Sequence, residues 1–268
     1  MPTICAVETQ TPNAPDLVLD LLQAGDRPLS GRALCRAGAL LGHRETTMRV
    51  ALTRLLAARK IRRESRGSYL LHHPGATLLG ELRAWSREAS DEVAWQGDWV
   101  AVHDAGVPRS DKTSWRRHHL ALSLRGFAPL AAGLRIRPCN RAGGLQAERQ
   151  RLADLGLSKQ ARVFLLSGLD ARDAKVAAGL WPTKALEDGY RRLSQALAQH
   201  RRLLPRLPEE QALRETLLLG RTAMGRLARD PMLPAEMMAP RHRDKLVMEV
   251  RRYDEAGHAL WSRWMEAA

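Results

Sequence analysis

Three short stretches of helical apolar spacing, closed by a basic hairpin, fall within residues 16–71, and they constrain the chain more than any other feature. Asp16 to Leu22 carries Leu17, Val18, Leu21 and Leu22 on one side, and Gly25-Asp26-Arg27-Pro28 breaks it. Ser30 is placed to cap a second helix that runs to about Leu41, because its hydroxyl can take an orphan N–H of the first turn. Gly42 closes that helix, and a third runs from about Glu45 to Arg59. Ile61 to Glu64 and Ser68 to Leu71 read as two strands around a Ser65-Arg66-Gly67 turn. Helices followed by a basic hairpin are the layout of a winged helix-turn-helix.

On a wheel drawn for the third helix, Met48, Leu52 and Leu55 share one side. Thr46, Val50, Thr53 and Ala57 lie opposite, flanked by Thr47, Arg49 and Arg54. That outward face offers what base edges need. Arg takes guanine bidentately, Thr bonds either edge, and Val touches a thymine methyl. Between Arg27 and Arg66 stand 11 basic and 2 acidic residues, a local charge of +9, the density that phosphate neutralisation wants. The expected DNA-contacting set is Arg44, Thr46, Thr47, Arg49, Val50, Thr53 and Arg54 on the helix, with Arg62, Arg63 and Arg66 in the wing. A small helical domain with a solvated basic face is the bland alternative.

The rest of the chain gives a second and a third region. A helix over about 78–88 links them to the first. Trp99-Val100-Ala101-Val102 reads as a buried strand, and 113–124 as a helix. Short strands follow around 126–130 and 133–136, then a helix over 146–155 and a strand at Val163 to Leu166. That β-α-β-β-α-β order is the split βαβ, ferredoxin-like pattern. Beyond Trp181 the pattern is helical: 186–203, 209–228 and 244–265, punctuated by Pro205, Pro208, Pro231, Pro234 and Pro240. The expected fold class is therefore α+β. The expected division is a tail at 1–14, a winged domain at 15–74, a linker helix at 75–95, a ferredoxin-like domain at 96–170 and a helical C-terminal domain at 171–268.

Composition excludes several classes. No apolar run approaches the ~20 residues that span a bilayer, and Met1 to Pro15 does not have the pattern of a secretory signal. Cys5, Cys35 and Cys139 are far apart and odd in number, so neither a disulfide framework nor a zinc knuckle is expected. A cytoplasmic protein fits. The net charge of +14 suggests a polyanionic partner, and 37 of the 43 basic residues are Arg, whose fork suits phosphates and base edges.

The residues also carry a resemblance. Leu29-Ser30-Gly31-Arg32-Ala33-Leu34, Gly38-Ala39-Leu40-Leu41-Gly42, and Met48-Arg49-Val50-Ala51-Leu52-Thr53-Arg54-Leu55 resemble the N-terminal domain of the PaaX family of bacterial repressors. Arg66-Gly67-Ser68-Tyr69-Leu70 is similar to that family's wing. Far downstream, Arg229-Asp230-Pro231-Met232-Leu233-Pro234-Ala235-Glu236 resembles its Asp-Pro-x-Leu-Pro signature, and the middle region matches less specifically at Gly126-Phe127 and Leu134 to Pro138. Val102 to Pro108, and Arg241-His242-Arg243-Asp244, depart from the family's pattern. The resemblance implies a winged helix, a Cas2-like ferredoxin fold and a helical domain. It also implies a homodimer on an inverted repeat of double-stranded DNA, released by an acyl-CoA such as phenylacetyl-CoA, with no catalysis.

Other residues have two readings each. Arg135, Arg137, Arg141, Arg149 and Arg151 form a second basic cluster: a solvated rim, a DNA-backbone contact or a clamp for CoA phosphates. Asp104 follows a buried strand. In a Cas2-like metal nuclease, the alternative function, it would be a metal-binding carboxylate, but no acidic neighbours accompany it and a turn Asp is expected. His72-His73 and His118-His119 are adjacent pairs whose side chains point apart, so neither is expected to chelate. No metal or cofactor site is expected. Trp181, Trp261 and Trp264 read as helix-packing anchors.

Overall fold

The computed structural model describes residues 8–24, 27–72 and 92–266. Cys5, His73, the first half of the expected tail and the helix expected over 78–88 lie outside the described residues. The protein is mixed α and β with two antiparallel sheets. No helix among the described residues is long and apolar enough to cross a membrane.

The first region begins with α1 (Ala14–Ala24), whose Leu17, Val18, Leu21 and Leu22 are all buried. Ser30 caps α2 (Gly31–Leu40) by accepting the Ala33 N–H at 3.0 Å. The chain then turns into α3 (Glu45–Ala57), which buries Met48, Ala51, Leu52 and Leu55. Gly38 lets the two helices approach, since a Cβ there would lie 2.6 Å from the Met48 side chain. A two-residue strand, β1 (Leu29–Ser30), was not anticipated. It pairs with β3 (Ser68–Leu71), which pairs in turn with β2 (Ile61–Ser65), giving the order β1-β3-β2. The basic hairpin is thereby anchored to the start of α2, and the Gly31 N–H donates to Gly67 O at 2.8 Å.

The division into compact units corrects the one expected from sequence. One unit comprises Met1–Trp85, Tyr190–Leu227 and Lys245–Ala268; the other comprises Ser86–Gly189 and Ala228–Asp244. The helical C-terminal region is therefore not a separate domain. The apolar cluster of α1, α2 and α3 also contains Leu213, Leu218 and Trp264, from the later helices. The physical reason is size. Some 55 residues bury little surface alone, and α1 has apolar residues to spare on both flanks. Those later helices are α7 (Thr183–Leu203), α8 (Glu209–Ala228) and α9 (Arg241–Glu266). Asp20 on α1 is ion-paired with Arg221 on α8, inside the same unit.

The second unit holds a four-stranded antiparallel sheet of order β5-β6-β4-β7. Its strands are β4 (Trp99–His103), β5 (Ala128–Ala131), β6 (Leu134–Pro138) and β7 (Arg162–Leu166). The helices α4 (Lys112–Leu124) and α5 (Gly144–Leu155) connect them in the β-α-β-β-α-β sequence. The central strand β4 is buried from Trp99 to Val102, as its unbroken apolar run requires. A short helix α6 (Ala171–Ala178), absent from the sequence reading, follows β7.

The Asp230-Pro231-Met232-Leu233-Pro234 segment is buried in this unit. Met232 takes a left-handed conformation, φ 51°, and its N–H donates to Asp230 Oδ1 at 2.7 Å. Asn140 donates to Met232 O at 2.8 Å, and Arg243 to Leu233 O at 3.3 Å. Gly126 sits beneath it at φ 70°, where a Cβ would fall 2.4 Å from the Pro231 Cα. Backbone cannot move aside as a side-chain tip can. Gly126→Ala is expected to cost roughly 1–3 kcal/mol for overpacking, plus about 1–2 kcal/mol for the left-handed backbone. A melting curve unchanged from the parent would refute that packing.

Candidate nucleic-acid interface

The face that α3 presents outward is built by what it buries. With Met48, Ala51, Leu52 and Leu55 turned to the core, Thr46, Thr47, Arg49, Val50, Thr53 and Arg54 are exposed. Arg44, the N-cap residue, is exposed and makes no side-chain cap bond. Val50 keeps 49% of its surface in solvent, unusual for a branched apolar residue and suited to a methyl contact. Thr53 donates its hydroxyl to Arg49 O at 3.1 Å, so its oxygen remains an acceptor.

Part of the expected set is brought together, and part is not. A cleft of about 980 Å³ between α2, α3 and the hairpin is lined by Arg49, Thr53, Arg63 and Arg66. Arg44, Thr46, Thr47, Val50, Arg54 and Arg62 are exposed but do not line it. Arg62 is ion-paired along its own strand with Glu64. Two further arginines, Arg32 and Arg36 on α2, complete the cleft. The sequence reading omits them as contacts, although their i,i+4 spacing puts them on one face. Arg36 also lies 4.0 Å over the Trp264 ring, which fixes its guanidinium by a cation–π contact.

Glu45 is the acidic residue in the cleft wall. Its Oε1 accepts from Arg49 at both 2.8 Å (Nε) and 2.6 Å (Nη2), a pair one helical turn apart. Both side chains remain more than 60% exposed. The pair holds Arg49 extended along the helix and gives it an exchangeable anion, one that a phosphate or base edge can replace. Burial, then the Glu45 carboxylate, push the Cys35 thiol up, with Arg49 opposing them. Cys35 therefore lines the cleft as a neutral thiol.

The second arginine cluster is corrected by the structure: its members do not form one surface. Arg137 and Arg141 are buried, at 1% and 5% exposure. Arg137 donates to Arg125 O at 2.9 Å and to Asn140 Oδ1 at 3.1 Å, behind the Asp230–Pro234 segment. Glu148 on α5, itself 2% exposed, accepts a bidentate pair from Arg125 at 2.9 and 2.7 Å, with Arg137 at 3.9 Å. Burial alone would raise the Glu148 carboxyl, but Arg137, Arg125 and Arg141 bring it down to about 2. Arg149 is exposed and donates to Val163 O at 3.1 and 2.7 Å, tying α5 to β7. Arg151 is half-buried. The charges interpreted as a phosphate clamp mostly hold the second unit together.

Asp104 does open a turn, its carbonyl accepting the Val107 N–H at 3.0 Å, and its side chain is buried. It is 5% exposed and accepts from His118 Nε2 at 3.3 Å and Arg135 Nε at 3.2 Å. His118 Nδ1 accepts the Ser158 N–H at 3.2 Å, which leaves Nε2 as the donor to Asp104. Burial pushes the Asp104 carboxyl up, and His118 with Arg135 more than reverse it, for a net lowering. Among the described residues, no group of three or more His, Cys, Asp or Glu could hold a metal ion. Of the expected tryptophan anchors, Trp264 is buried in the first unit, and Trp181 stacks on Trp99 at 5.9 Å while donating to Gly126 O at 3.2 Å.

No protein-family model and no curated protein matches the chain. Among solved structures, the chain is similar to the uncharacterized protein Rv0674 from Mycobacterium tuberculosis, at 23% identity and a TM-score of 0.58. The similarity covers 95% of this chain and 98% of that one. At that identity it is a likeness of fold over nearly the whole length.

Proposed function

We propose that this chain is a DNA-binding transcriptional regulator. Residues 14–71 act as a winged helix-turn-helix, with α3 in the major groove and the Arg62–Arg66 hairpin as the wing on the phosphate backbone. Residues 99–166 act as a ferredoxin-like domain of the kind the PaaX resemblance implies. The observation that carries the reading is the cleft in which Arg32, Arg36, Arg49, Arg63 and Arg66 converge beside the exposed face of α3. Arginine at that density neutralises phosphates, while Thr46, Thr47, Arg49, Val50 and Thr53 offer the donors and methyls that read base edges.

One α3 reads only a few base pairs. Specific action therefore calls for a homodimer whose two helices lie ~34 Å apart, or a multiple of that, on an inverted repeat. Repression of a catabolic operon, with release by an acyl-CoA, is the form of regulation the resemblance supports. The buried Arg137 and Arg141 give that ligand no five-arginine clamp.

Selection of bound sites from a randomised duplex pool tests the reading. Enrichment of a palindromic site, whose affinity falls linearly with the logarithm of salt concentration, is the expected result. A pool with no enriched sequence, and no salt-dependent shift of any duplex, would overturn it.

A further inference from the structure

Within the first unit, α1, α8 and α9 do not close completely on one another. They leave a cavity of about 340 Å³, at the lower end of the size range of small-molecule sites. Two glycines stand in its walls, Gly220 in the middle of α8 and Gly257 in the middle of α9. Glycine inside a helix is unfavourable relative to alanine. Packing does not require it at either place. A Cβ on Gly220 would meet the Tyr253 ring no closer than 3.8 Å, and one on Gly257 would meet Thr216 at 3.7 Å, both ordinary contacts. The space is left open although the chain could fill it.

The walls are specific in chemistry. Leu21, Met224, Tyr253, Trp261 and Met265 supply an apolar lining. The two arginines of the wall are already ion-paired, Arg27 with Glu266 and Arg221 with Asp20. They offer no uncommitted charge to a phosphate or carboxylate. One polar group stands out. The Trp261 indole N–H is shielded from solvent and has no acceptor among the described residues. A buried donor left unpaired is costly, and an acceptor from a ligand removes the cost.

The same α9 wall is held rigid two turns before Trp261. The buried Tyr253 hydroxyl donates to His200 Nδ1 at 2.6 Å, and His200 Nε2–H donates to Glu215 at 2.7 Å. Burial, then the Glu215 carboxylate, push the Tyr253 phenol up, so it stays protonated and remains the donor of that relay. Such a chain fixes the ring in place before any ligand arrives.

We propose that the cavity between α1, α8 and α9 is a binding site for an uncharged, largely apolar small molecule of about naphthalene size, carrying one acceptor oxygen that takes the Trp261 indole N–H. The site stands on its own walls, whether or not α3 reads DNA. Because α1 also packs in the core that supports α3, occupancy would bear on the DNA-reading face if the proposed function holds.

The test uses the full chain without DNA, so that its outcome is separate from that of the DNA selection. The probe is prodan, an uncharged naphthyl ketone whose emission moves to the blue in apolar surroundings and to the red when its carbonyl is hydrogen-bonded. Saturable, single-site binding is expected. Gly257→Leu and Gly220→Leu, which fill the cavity, are expected to weaken it more than tenfold while the thermal transition is retained. Gly257→Ala, for which the contacts leave room, weakens it less and guards against a leucine variant that does not fold. Trp261→Phe is expected to weaken binding roughly two- to tenfold, the worth of one hydrogen bond, and to shift the bound emission further to the blue. Absence of saturable binding, or binding indifferent to both substitutions at Gly257, would overturn the site. An unchanged emission in Trp261→Phe would overturn the assigned donor.

Discussion

Glu148→Gln is expected to lower the stability of the second unit by about 3–5 kcal/mol at neutral pH, the usual loss when one partner of a buried ion pair is removed. Glutamine keeps the shape of the side chain. It removes the carboxylate that Arg125 and Arg137 face, and both guanidiniums, buried at 7% and 1% exposure, lose that counter-charge. The same carboxylate sets an acid limit. Its folded-state value, about 2, lies below the usual 4.5, so the unfolded chain binds the proton first. Its contribution is complete above about pH 4.5 and is lost as pH falls toward 2. The shift corresponds to about 3 kcal/mol in all. Asp104 is lowered too and titrates in the same sense. The difference between parent and Glu148→Gln therefore isolates Glu148. Urea unfolding at a series of pH values reads it: the gap is wide at pH 7 and narrows below pH 4.5. Equal midpoints at pH 7 would mean that the buried pair contributes no stability.

How far the fold was legible depends on what kind of information each element needed. Ser30 before an apolar stretch, Pro28 just ahead of it and Gly42 beyond it delimit α2 to within a residue or so, since caps and breakers are local. The hairpin at 61–71 and the strand at Trp99 are legible for the same reason. Partnership is not local. The stripe of Leu213 and Leu218 on α8 says that a face is buried. It does not say that the face completes the core around Met48, and the expected separate C-terminal domain fails on that point. Charge misleads in a similar way. Arg137 and Arg141 look solvated because arginine is rarely buried. The signal against that default was on another element. Glu148 stands three residues after Leu145 and four before Leu152, on the buried side of α5, where an acid needs a cation facing it. In the candidate interface, the wheel of α3 identifies the outward face correctly. It could not supply Arg32 and Arg36, which belong to a different helix and reach the cleft only through the close α2–α3 crossing at Gly38.

Replacing Arg49, Arg63 and Arg66 together by alanine is expected to abolish a DNA shift at physiological salt. Each phosphate contact contributes about 0.9 to the slope of log affinity against log salt, so loss of the two wing contacts flattens it by roughly 1.8. The three positions differ in kind. Arg63 and Arg66 lie in the wing, so their loss should weaken selected and unselected duplexes alike. Arg49 lies on α3, and its loss should weaken the selected site by an additional ~1–3 kcal/mol relative to a scrambled one, if its fork takes a guanine. Glu45→Gln separates these effects further. It removes the anion that holds Arg49 at 2.6 Å, and binding to every duplex should rise while the preference for the selected site changes little. All four side chains are exposed, and exposed substitutions of this kind usually move stability by no more than about 0.5 kcal/mol. A lost shift would then report contact rather than unfolding, with the melting curve as control. If the triple variant bound a selected site as tightly as the parent and with the same salt slope, α3 and the hairpin would not be the DNA-binding surface. The convergence of arginines between them would then need another anion as its explanation.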